Sequence, residues 1–84
     1  MGNLPQYCHK HDREWIRQQL GKLPHHWREQ VAKVYSDKYK EIYYSEHESP
    51  KSENRARNAA NAWLRGYVTK YINRKFSKVN VKHN

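Results

Sequence analysis

Apolar residues recur at three- and four-residue steps in three separate stretches of this chain, a spacing that predicts helices. In the first, from about His11 to Leu20, Trp15, Ile16 and Leu20 fall on one face. Asp12 and Glu14 suit the positive amino end of that helix, and Gly21 is placed to cap its other end. Leu23 is held extended by the proline after it, and Pro24 suits the first turn of a second helix over about 24–44. There Trp27, Val31, Val34, Tyr35, Tyr39 and Ile42 keep the period, while Glu29 and Lys33 are spaced to pair one turn apart. The polar run Ser45–Ser49 breaks the period and reads as a loop. Ser49 then offers a capping hydroxyl and Pro50 a first helical position, opening a third helix over about 50–74. Its stripe comprises Ala56, Ala60, Trp63, Leu64, Tyr67, Val68 and Tyr71, and alanines at 56, 59 and 60 permit close approach of another helix.

The ends lack this period. Residues 1–9 read as an irregular arm, and the weakly alternating residues 75–84 as a basic tail, either a short strand or disordered. The expected fold is all-α: a small three-helix bundle over residues 1–74, followed by the tail. An 84-residue chain buries only about 60 % of its unfolded surface, so its core is marginal. Three Trp, seven Tyr and one Phe compensate, since each ring buries on the order of 150–250 Å². The single cysteine, Cys8, excludes an intramolecular disulfide. No apolar run approaches the roughly 20 residues that span a bilayer, and the amino terminus lacks the apolar core of a signal peptide. The expectation is a cytoplasmic protein without membrane insertion.

Charge changes this picture from a fold to a function. From Lys51 onward there are nine Lys and Arg against one acid, Glu53, whereas the first fifty residues hold eight bases and seven acids. A field this one-sided draws in polyanions. At about 100° per residue, Arg55, Asn58, Asn61, Arg65, Thr69 and Asn73 share a sector of the third helix opposite Trp63 and Tyr67, with Lys70 and Arg74 beside it. Arg bonds guanine and Asn bonds adenine bidentately in the major groove of DNA, which admits a helix. A merely solvated face usually mixes Glu with Lys, and Asn weakens a helix, so four of them (Asn54, Asn58, Asn61, Asn73) ask for a reason. The expected nucleic-acid contacts are Arg55, Arg57, Asn58, Asn61, Arg65, Thr69, Lys70, Asn73, Arg74, Lys75, Lys78 and Lys82, with Asn58 and Asn61 as base readers and the cations on phosphates.

Other chemistry is thinly represented. Cys8, His9 and His11 precede His25 and His26 at a spacing that fits no standard zinc finger, so no metal and no cofactor is expected. Glu46, His47 and Glu48 resemble a nuclease cluster only in composition, and solvated loop charge accounts for them. No phosphate-cradling glycine loop or nucleophile motif is present, so the chain is not expected to be an enzyme.

The segments LPHHWREQVAKVYSDKY (Leu23–Tyr39) and RARNAANAWLRGYV (Arg55–Val68) resemble pieces of small proteins from phage and prophage replication regions. Leu-Pro, then Arg, then Tyr on a helix is similar to the helical amino-terminal part of rolling-circle phage replication initiators. The resemblance covers at most about half of the chain. It implies a mobile-element setting, with work in replication, recombination or transcription control. The initiators' catalytic histidine pair, split by one apolar residue, is not matched, because His25 and His26 are adjacent. The leading expectation is thus a small DNA-binding accessory protein. Composition leaves RNA open, since 2′-hydroxyl contacts leave no compositional mark. The alternative is an adaptor or inhibitor docking on an acidic host protein through Tyr43, Tyr44 and Phe76. A homodimer presenting two basic faces is also compatible with the alanine stripe.

Overall fold

The computed structural model describes residues 4–45 and 50–80, with side chains described for 4–45 and 51–75. Three α-helices, α1 (Arg13–Gly21), α2 (Arg28–Ser45) and α3 (Pro50–Asn80), make up the fold, with no strand among the described residues. Short 3₁₀ turns, Lys10–Asp12 and His25–Trp27, lead into α1 and α2. The expected all-α bundle is what forms. α2 and α3 run antiparallel: Trp27, in the turn just before α2, meets Tyr71 late in α3, with ring centroids 5.2 Å apart.

The core lies where the three stripes converge. Ile16 and Leu20 of α1, Val31, Ala32, Tyr35 and Tyr39 of α2, and Ala56, Ala60, Leu64 and Val68 of α3 are buried, together with Leu23. Trp15, Trp27, Trp63, Tyr67 and Tyr71 are half-buried around them. Tyr35, Tyr39 and Tyr43 stack one turn apart along α2, with centroids 6.4 and 6.3 Å apart. Each fully buried aliphatic contributes about 1.5–3 kcal/mol, so a handful of small and medium residues framed by rings suffices.

Several local expectations are corrected. α1 does not end on a glycine cap: Gly21 is its last residue, and Lys22 caps it in right-handed conformation, its N–H on the Gln19 and Leu20 carbonyls. Pro24 is extended (φ −55°, ψ 144°) and precedes a 3₁₀ turn, so the α-helix starts only at Arg28. Arg28 ties that corner, its Nε donating to the Leu23 carbonyl at 3.1 Å and Nη2 to the Gly21 carbonyl at 3.2 Å. Lys33 pairs with Asp37 at 3.6 Å instead of with Glu29. Ser45 belongs to α2; the rest of the expected loop, with Glu46, His47, Glu48 and the capping Ser49, lies outside the described residues. Ala59 is exposed, unlike its neighbour Ala60. From Leu4 to His9 the arm is irregular as expected but anchored: Pro5 is buried, and the Tyr7 N–H donates to Ser36 Oγ at 3.1 Å. Most consequentially, α3 continues through Asn80, past the expected end at Arg74, so the start of the supposed tail is helix.

Ala59 and Ala60 provide a test of this packing. Ala60→Leu is expected to lower stability by about 1–3 kcal/mol through overpacking between helices. Ala59→Leu should stay within about 0.5 kcal/mol of the wild type in urea unfolding, because that position faces outward.

Candidate nucleic-acid interface

The candidate surface is a consequence of which α3 side chains the core leaves over. A helix of 31 residues extends about 46 Å at 1.5 Å per residue. With Ala56, Ala60, Leu64 and Val68 turned inward, Arg55, Asn58, Arg65, Thr69, Lys70, Asn73, Arg74 and Lys75 are exposed. Lys51, Asn54, Ala59, Ala62 and Gly66 are exposed with them. No acid occurs in α3 after Glu53, and Glu53 itself faces His9, Oε2 to Nε2 at 3.4 Å. The outward side of α3 from Asn54 to Lys75 therefore carries cations, amides and small neutral residues and no acid.

Two expected contact residues have other work. Arg57 is half-buried and holds Asp12 bidentately, Nε to Oδ2 and Nη2 to Oδ1, each at 2.9 Å. Asn61 Nδ2 donates to the same Asp12 Oδ2 at 3.1 Å, and its Oδ1 accepts a hydrogen bond from the Tyr35 hydroxyl. Asp12 is the last residue of the first 3₁₀ turn, so this chain of bonds links the segment before α1 to both long helices. Asp12 was expected to serve the amino end of α1. It occupies the cap position there, yet its side chain makes no capping bond and is spent on α3. The hydrogen bond from Arg57, reinforced by Asn61, outweighs burial and holds the Asp12 carboxyl below its ordinary pKa. The same bond raises Arg57. Burial, followed by the charge of Asp12, pushes the Tyr35 hydroxyl upward, so it stays a proton donor at neutral pH. Asn61 thus anchors the core's edge, and its role as base reader does not fit this geometry.

Of the remaining expected residues, Lys78 is in α3 but its side chain is outside the described set, as is that of Phe76, and Lys82 lies beyond the described residues altogether. Tyr44 is 55 % exposed at the end of α2, while Tyr43 is half-buried in the tyrosine stack. His9 and His11 touch edge to face (centroids 4.7 Å), and no group of three or more His, Cys, Asp and Glu among the described residues is placed to hold a metal. Burial raises the Cys8 thiol pKa, which leaves it protonated at neutral pH.

Some features of the surface escape linear reading. The Arg65 guanidinium lies over the Trp15 ring of α1, 5.4 Å from its centroid, and Lys75 Nζ lies 5.9 Å from the Tyr71 centroid. On the opposite flank Lys38 of α2 sits over Trp63 at 5.7 Å. Such contacts are worth about 0.5–1 kcal/mol when exposed, and they narrow the rotamers open to each cation. Pairing of Arg65 with Trp15 depends on how α1 crosses α3, which no local pattern encodes. Gly66, by contrast, carried a readable signal: glycine inside a helix costs about 1 kcal/mol relative to alanine. A Cβ built at Gly66 meets nothing within 4 Å, so the core does not require its small size. No family model, curated protein or solved structure matches this chain.

The Asp12 network predicts an acid sensitivity of definite sign. Because the folded carboxyl titrates below its unfolded value, near 3.8, its contribution is complete above that value and is lost as pH falls through the folded pKa. Asp12→Asn should lower stability by about 2–3 kcal/mol at pH 7, as expected for hydrogen bonds to a charged group. Its deficit relative to wild type should shrink at pH values below the folded pKa in thermal unfolding.

Proposed function

We propose that this protein is a small nucleic-acid-binding accessory factor that grips phosphates with the outward face of α3. The observation that carries this reading is the acid-free exposed surface from Asn54 to Lys75, presented on a helix whose other side is fixed in the core. Arg65 and Lys70 are exposed there and Arg74 and Lys75 are exposed further along the helix, and each neutralised phosphate releases condensed counterions. Asn58, Thr69 and Asn73 supply uncharged donors and acceptors between the cations, suited to base edges or sugars. Bracing of Arg65 on Trp15 reduces the side-chain freedom lost on binding. The likeness of Leu23–Tyr39 and Arg55–Val68 to phage replication-region proteins supports placing this activity in replication, recombination or transcription control of a mobile element.

A second reading, docking on an acidic host protein, is favoured by one observation, the exposed ring of Tyr44. Tyr is enriched at interface hot spots, yet this ring stands at the end of α2 and leaves the α3 surface unexplained.

The test is a salt titration by fluorescence anisotropy. With about six phosphates contacted, affinity should fall on the order of a thousandfold between 50 and 200 mM salt. Lys70→Ala should weaken binding to all sequences alike and reduce the salt slope by about 1. A salt-insensitive curve, or no binding at low salt together with capture of an acidic partner, would overturn the phosphate reading in favour of the adaptor.

A further inference from the structure

Resting on the reading above, we propose that α3 enters the major groove of B-form duplex DNA, with Gly66 at the point of closest approach. Charge complementarity selects the occupant. Arg65 and Lys70 stand on opposite sides of the line through Ala62 and Gly66, about 140° apart on the helix. Two flanking cations with a neutral strip between them match a groove whose two walls are phosphate and whose floor is base edges. A second copy of the same face would instead set cation against cation.

The neutral strip is built from small residues. Ala62 and Gly66 are both exposed, and the space around a Cβ at Gly66 is open. Its backbone is not left-handed either, so neither packing nor conformation within the chain accounts for glycine in mid-helix. What gains from bare backbone there is outside the chain. The B-DNA major groove is about 12 Å wide and a helix with its side chains about 10–12 Å across, so insertion is close and every small residue on the leading edge deepens it. Thr69 and Asn73 continue the same edge and would meet bases, Asn73 having the amide that pairs with adenine. A-form RNA has a deep, narrow major groove that excludes a helix, and a single strand offers no groove.

Anisotropy with a 20-base-pair DNA duplex of mixed sequence and the RNA duplex of the same sequence tests this directly, using wild type, Gly66→Ala and Gly66→Leu. Both substitutions raise helix propensity and point into open space, so circular dichroism should show helicity kept, and only bulk separates them. The wild type should bind the DNA duplex at least about tenfold more tightly than the RNA duplex, and Gly66→Leu should abolish that preference while Gly66→Ala preserves it. Equal, salt-dependent affinity for both duplexes, unchanged by leucine, would overturn groove entry and leave phosphate binding by α3 standing. Loss of all binding at low salt in the wild type would overturn both. A wild-type dimer in sedimentation that Gly66→Leu splits, with the duplexes still bound alike, would also overturn groove entry and assign the strip to a second copy.

Discussion

The grip of Arg57 and Asn61 on Asp12 ties the α3 surface to the rest of the fold. A charged pair at the margin of a small core is costly unless its hydrogen-bonding capacity is filled. Here two guanidinium donors and an amide fill it, and the Tyr35 hydroxyl closes the chain from α2. The buried stripe of α3, Ala56, Ala60, Leu64 and Val68, decides which side of the helix faces outward. Directional bonds to one carboxylate add a second constraint on that setting, tying α3 to the segment before α1 and to α2.

The distribution of charge follows from the same arrangement. Described acids are largely engaged within the fold: Asp12 with Arg57, Glu14 with Arg17, Asp37 with Lys33 and Glu53 with His9. The exposed pairs, Glu14 with Arg17 and Asp37 with Lys33, add little stability, often under about 1 kcal/mol each. Their effect is on the field, since each cation so placed offsets a negative charge that would otherwise compete for the cations of α3. Aromatic rings act in the same direction by carrying Arg65, Lys75 and Lys38 on their faces.

The helices and most of the core were legible from periodicity, because Ile16, Leu20, Val31, Tyr35, Ala56, Leu64 and Val68 obey a local rule and the tertiary fold agrees with it. Boundaries were less legible where competing local signals met. Gly21 looked like a stop but serves as an ordinary last residue, and Lys75 looked like the start of a tail although helix continues through Asn80. The candidate surface divided in the same way. Arg65, Thr69, Lys70 and Asn73 face outward as the helical angle requires. Asn61 sits at the edge of that sector, and Arg57 lies next to the stripe, where only the distant Asp12 decides the direction of the side chain. A contact 45 residues apart leaves no trace in local spacing.

The division of α3 into one side held by the core and one side in solvent also bears on how such a protein can change over generations. Substitutions at Asn58, Ala62, Thr69 or Asn73 alter what the surface touches without disturbing Ala60, Leu64 or the Asp12 network. Surface changes of that kind are nearly neutral for stability. Under the proposed function, preference for a new target can therefore drift in small steps on an unchanged scaffold, and a lineage need not pass through unfolded intermediates to acquire it.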